Sequence, residues 1–125
     1  MLVVLRRFWI EPGTFGEFER ISREEIWPPI EAVGARVQGL FLAEEPEPHP
    51  EVTGPCEMAV LLMAYVDHDH WTSTRPRAET WGGTEEQRLV MAEGVRRRHA
   101  LTLHTEPTFM RSADVSIGGP FFSSR

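Results

Sequence analysis

Apolar positions along this chain change their period several times, and each change marks an element. Leu2-Val3-Val4-Leu5, continued by Arg6-Arg7-Phe8-Trp9-Ile10, is rich in β-formers and predicts a strand covered on both faces. Pro12-Gly13 ends it. Thr14 to Glu17 matches a capping box, the hydroxyl accepting the Glu17 amide and the carboxylate reaching back, so a helix is expected there. Phe15, Phe18, Ile21, Ser22 and Ile26 then fall on one side, with Glu19, Arg20, Arg23 and Glu24 left outside. Pro28 disfavours a helical Trp27 and neither Pro28 nor Pro29 donates an amide, which predicts a kink and a short restarted turn stopping at Gly34.

Ala35 to Ala43 reads as a second strand, and EEPEPHPEVTGP from Glu44 to Pro55 as a solvated acidic connection that carries His49 with it. Glu57 to Val66, EMAVLLMAYV, is the most apolar segment and has a strand's length, so it should be central and buried on both faces. After it the chain turns polar at VDHDHW. Thr74-Arg75-Pro76 then resembles a helix entry and Gly82-Gly83 an exit. Thr84 to Gln87 is a second capping box; the helix it opens is expected to carry Leu89, Val90, Met91 and Val95 inward. It ends in Arg96-Arg97-Arg98-His99, cations suited to the negative end of the macrodipole. Leu101 to Arg111 is the last strand, and Pro107 suits an edge or a bulge.

The order strand, helix, strand, strand, helix, strand is a split βαβ pattern. It predicts an α+β, ferredoxin-like βαββαβ domain over residues 1–111, with a four-stranded antiparallel sheet, helices on one face, and a tail over 112–125. Both central strands look apolar on both faces, yet two helices cover only one. A second copy's sheet on the other face, making a homodimer, is the simplest cover.

Composition narrows the function classes. The chain has 125 residues, enough for one core, and a formal charge of -6 that argues against nucleic-acid binding. Its single cysteine, Cys56, allows no internal disulfide and fits a reducing compartment. The first apolar run is too short to span a bilayer and its arginines follow it, unlike a signal peptide, so a cytoplasmic protein with no membrane partner is expected. All 13 basic residues are arginine, which removes lysine Schiff-base chemistry and the P-loop lysine, and there is no GxGxxG loop.

LRRFWIEPG (Leu5 to Gly13), the capped helix after it, Trp27-Pro28, and GARVQG (Gly34 to Gly39) together resemble the opening of NIPSNAP-type proteins, in the dimeric α+β barrel superfamily. Arg6 and Phe8 stand where that family has an arginine and an aromatic before Pro-Gly, and Trp81 resembles the tryptophan of its second helical region. The resemblance spans about residues 2 to 111 and implies paired split βαβ units with a cavity between sheet and helices. It implies a small organic ligand and chemistry of a cofactor-independent kind, monooxygenase- or isomerase-like. Other members of the superfamily bind haem, but no spacing here singles out a proximal ligand, so no cofactor is expected. The acidic loop and the tail depart from the family pattern.

Arg6, His70 and His104 are the candidate catalytic residues: an arginine to anchor an anionic or enol oxygen, and histidines whose intrinsic pKa suits proton transfer near neutrality. A cross-strand Arg6–Glu106 pair is the competing reading of Arg6. Phe8, Trp27, Tyr65, Trp71 and Trp81 are candidate substrate-binding residues, against a packing role for each. His68 and His70 share a side only on an extended chain and stand about 200° apart on a helix, so no metal site is assigned to them. An aspartate capping the next helix is the plainer account of VDHDHW.

Overall fold

The computed structural model describes residues 1–113. Strands β1 (Leu2–Ile10), β2 (Arg36–Leu42), β3 (Glu57–Tyr65) and β4 (Thr102–Arg111) form an antiparallel sheet in the order β2-β3-β1-β4. Helices α1 (Phe15–Ile21), α2 (Trp27–Ala32), α3 (His68–Ser73) and α4 (Glu85–Ala100) complete the α+β, ferredoxin-like arrangement. The expected central pair, β1 and β3, is found, and Pro107 lies on an edge strand, where a missing amide is tolerated. The tail expected over 112–125 lies, from residue 114 onward, outside the described residues.

Alternation along β1 divides the molecule. Val4, Arg6 and Phe8 face the helices with Met63, Leu61 and Ala59 opposite them on β3, and Phe8, Ile10, Phe18, Ile21, Ile26 and Met91 are core residues. Leu5, Arg7 and Trp9 face the other way, opposite Leu62, Val60 and Met58.

Several local expectations are corrected. The capping box at Thr14 does not form: its hydroxyl donates to the Glu11 carbonyl at 2.6 Å, and Glu17 is engaged by Arg20 instead. The short restarted helix is present as α2, but Trp27 is helical despite Pro28, at φ -67° and ψ -42°. Ser22–Ile26 winds as a π-helix, the Trp27 amide donates to the Ser22 carbonyl, and α2 follows directly, so the wider turn absorbs the change. Gly34 ends α2 at φ 101°, as its position suggested. No helix occupies 74–81; Asp67 accepts the His70 amide at 2.8 Å and starts a helix earlier, at His68. On α4 the Thr84–Gln87 capping box is present, but Leu89 and Val90 face solvent while Met91 and Gly94 are buried.

The acidic loop is not simply solvated. The Trp9 indole donates to the Glu47 carbonyl at 2.7 Å and Arg7 pairs with Glu47 at 2.8 Å, so the loop lies over the Trp9 end of the outer face and Trp9 is fully buried. His49 goes with it, tilted against the Trp9 ring at 4.9 Å.

Gly94 is where α4 crosses the π-helix. A β-carbon there would lie 2.9 Å from Glu25 Cβ and 3.0 Å from Ile26 Cγ1. Gly94→Ala, worth about 1 kcal/mol of stability in an open helix, is therefore expected to destabilise by roughly 1–3 kcal/mol. Urea unfolding measures it, and a stabilised variant would contradict the close crossing.

Candidate functional site

A cavity of about 230 Å³ lies between the inner face of the sheet and the helices. Its apolar walls include Val4, Phe8, Leu61 and Met63 from the sheet and Trp27 from α2. Its charged walls are arginines: Arg6 from β1, Arg75 from the turn after α3 and Arg98 from the last turn of α4. No carboxylate is among its described wall residues.

Neutral oxygens hold these guanidiniums. Arg6 donates to Thr105 Oγ1 at 3.4 Å, Arg98 to Ser22 Oγ at 3.0 Å, and Arg75 to Thr74 Oγ1 at 2.9 Å and Tyr65 Oη at 3.5 Å. Arg98 also stands over the Phe8 and Phe18 rings at 4.8 and 5.1 Å. Burial, with further depression from Arg6 and Arg75, pushes its pKa down to about 9. Burial likewise lowers Arg6, aided by Arg75, and lowers Arg75, where Tyr65 opposes the shift. The Arg75 Nε–H and the Trp27 Nε1–H are buried with no acceptor among the described residues.

Of the residues singled out in the sequence, Arg6, Phe8, Trp27, Tyr65 and Trp71 line this cavity. His70, His104 and Trp81 do not. His70 Nδ1 accepts the Val66 amide at 3.0 Å, which leaves Nε2–H to donate to the Val33 carbonyl at 2.8 Å; both nitrogens tie α3 to its neighbours. His68 and His70 diverge because they sit on a helix, His68 packing against Trp71 and Phe109. Trp81 donates to the Thr84 carbonyl at 2.9 Å, beside the α4 cap.

His104 is on the opposite face from Arg6. Adjacent strand residues point to opposite sides, and register sets Arg7, not Arg6, across from Glu106. The expected Arg6–Glu106 pair is therefore replaced by Arg7–Glu106 at 3.1 Å. Hydrogen bonds from His104 and then His49 hold the Glu106 carboxyl below its usual range. Among the described residues, His49, His104 and Glu106 form the cluster whose ligand atoms, within 4.8 Å of one another, come close enough for a metal ion. The Glu51 amide donates to His49 Nδ1 at 3.0 Å, however, so Nε2 bears the proton that Glu106 accepts and is not free to ligate.

Sequence reasoning missed Arg75 and Arg98. Arg98 had a signal: Met91, Val95 and Arg98 follow the i, i+4, i+7 spacing of one helix face. Arg75 had none, because its direction depends on how residues 74–84 turn.

The fold that holds this cavity, helices on one face of a four-stranded antiparallel sheet, has counterparts among solved structures. An uncharacterised NIPSNAP domain protein from Burkholderia xenovorans matches at TM-score 0.64 and 24% identity, over 91% of this chain and 96% of its own. The chain has the fold of the NIPSNAP-domain proteins. A NIPSNAP-like domain protein from the same organism matches at TM-score 0.64 and 19% identity, over 95% of this chain and 90% of its own. A NIPSNAP family protein from Agrobacterium tumefaciens str. C58 matches at 0.61 and 20%, over 92% and 88%. No family model matches the chain, and no curated protein does.

Within this NIPSNAP-type fold the half-buried Arg98 charge has a stability signature. The folded-state pKa of Arg98, about 9, lies below the unfolded value, so the charged form opposes folding below pH 9. Between there and the ordinary arginine range the unfolded chain binds more protons, and stability rises with pH. Arg98→Met is expected to stabilise the ligand-free chain by about 1 kcal/mol or more at neutral pH and to remove that rise. Chemical unfolding measures both, and a destabilised variant would show that Arg98 is compensated.

Proposed function

We propose that the chain is a NIPSNAP-like protein that binds a small organic acid in the cavity, its acidic group on the arginines and its body against Phe8, Trp27 and Trp71. The observation that carries this reading is the set of guanidiniums on a cavity wall without a carboxylate among the described residues. Small-molecule sites are mostly apolar with a few convergent polar groups, and this cavity has that make-up. Planar guanidinium donors suit carboxylate or phosphate oxygens.

For cofactor-independent chemistry of the monooxygenase or isomerase kind, the proton-transfer group would be Tyr65, whose hydroxyl adjoins Arg75 on the cavity wall, or His99, which also lines the cavity. His70 and His104 are both engaged away from the cavity. Titrating the protein with benzoate while following tryptophan fluorescence tests the binding reading. Saturable binding is expected, weakened about tenfold or more by Arg75→Gln; equal affinity for benzyl alcohol would count against it.

The alternative of a non-catalytic homodimeric module draws on the outer face, where Leu5, Val60 and Leu62 are only half-buried and Phe41 is exposed. We propose that a second copy covers this face whichever reading of the cavity holds. Sedimentation equilibrium is expected to give the mass of two chains, and of one chain for Leu62→Glu; a one-chain mass for the unaltered protein would reject the dimer.

A further inference from the structure

Resting on the reading that the cavity takes an organic anion, we infer that its ligand is a dianion, a phosphate monoester or a dicarboxylate on a small apolar body. The first argument is a contrast in charge pairing. Arg7, Arg20, Arg23, Arg88, Arg96 and Arg97 each have a carboxylate partner. The chain carries 19 acidic residues against 13 basic ones, so carboxylates are not scarce. Arg6, Arg75 and Arg98 nonetheless have only hydroxyl oxygens as side-chain partners among the described residues; Arg36, Arg77 and Arg111 have no carboxylate partner there either, but only the first three share one cavity.

The second argument is convergence. The arginines come from β1, the turn after α3 and the end of α4, elements far apart in sequence, and all line one small cavity. They are close enough to depress one another's protonation: Arg75 acts on Arg6, and both act on Arg98. A single carboxylate would neutralise one guanidinium and leave two like charges together in a half-buried space. A dianion leaves one. Unpaired charge is expensive away from water, so the second negative charge gains more here than on an open surface.

The third argument is the count of donors. On residues that line the cavity, Arg75 Nε–H and Trp27 Nε1–H are buried without acceptors among the described residues, as are Arg7 Nε–H, Arg97 Nε–H and the Gln38 amide elsewhere. Such donors are rarely left unsatisfied in a native structure. A phosphate or a pair of carboxylates brings more acceptor oxygens than one carboxylate does, and the cavity, about 230 Å³, is small enough for one ligand to reach several walls. Phe8, Leu61 and Met63 leave an apolar space for the remainder.

Isothermal titration of the full chain with phenyl phosphate, phthalate, benzoate and benzyl alcohol at pH 7.5 tests the inference without any variant. At least one dianion is expected to bind about tenfold or more tightly than benzoate, and the choice between phenyl phosphate and phthalate assigns the phosphate or the dicarboxylate class. Arg98→Gln should bring that dianion close to benzoate's affinity while changing benzoate binding much less, with the near-ultraviolet circular dichroism of the variant confirming its fold. Benzoate binding as tightly as both dianions would overturn the dianion inference and leave the organic-acid reading standing. No anion binding, or benzyl alcohol equalling benzoate, would overturn both.

Discussion

Two adjacent arginines on a central strand must point to opposite faces of the sheet, and the rest of the structure is arranged around that division. Arg7 points outward, where Glu106 and Glu47 meet it and where the acidic loop closes over Trp9. Arg6 points inward, into the space between sheet and helices, where Thr105 Oγ1 is its hydrogen-bond partner among the described residues. One face of β1 is electrostatically satisfied by the chain itself. The other presents positive charge to a cavity. The two-residue period of a strand forces this separation, and the helical face that brings Arg98 inward adds to it.

The two faces then follow different energetics. The outer pairs are partly exposed and contribute little to stability individually, but together with the Trp9 indole bond they fix where the loop lies. The inner arginines are held by neutral hydroxyls and aromatic faces, which orient a guanidinium without discharging it. On the proposal that an organic anion occupies the cavity, such an arrangement would oppose folding while the cavity is empty and favour the anion when one enters. Closeness at Gly94 lets α4 lie against the π-helix, and Arg98 lies one turn further along the same helix, on the cavity wall.

Elements with strong local signals were legible. The apolar runs of β1 and β3, the Thr84–Gln87 cap and the Gly34 stop all follow from short stretches whose physics is complete within a few residues. The Thr14 motif is equally short, yet Arg20 competes for Glu17 and the cap does not form. The cavity was half legible. Arg6, Phe8, Trp27, Tyr65 and Trp71 lie on its walls. An Arg6–Glu106 pair and a catalytic role for His104 both need β4 to meet Arg6 with its other face, and one residue of register reverses the face. The run Arg96-Arg97-Arg98-His99 has the pattern of a helix terminus, and that pattern masks the membership of Arg98 in the inward row begun by Met91. Loop docking onto Trp9 and the direction of Arg75 depend on distant parts of the chain, so no local pattern encodes them.

A crystal structure of the protein grown with phenyl phosphate tests the central claim most directly. The account predicts the phosphate inside the cavity, with its oxygens at hydrogen-bond distance from the guanidiniums of Arg6, Arg75 and Arg98. A protein carboxylate paired with those guanidiniums, or a phosphate bound only outside the cavity, would contradict it.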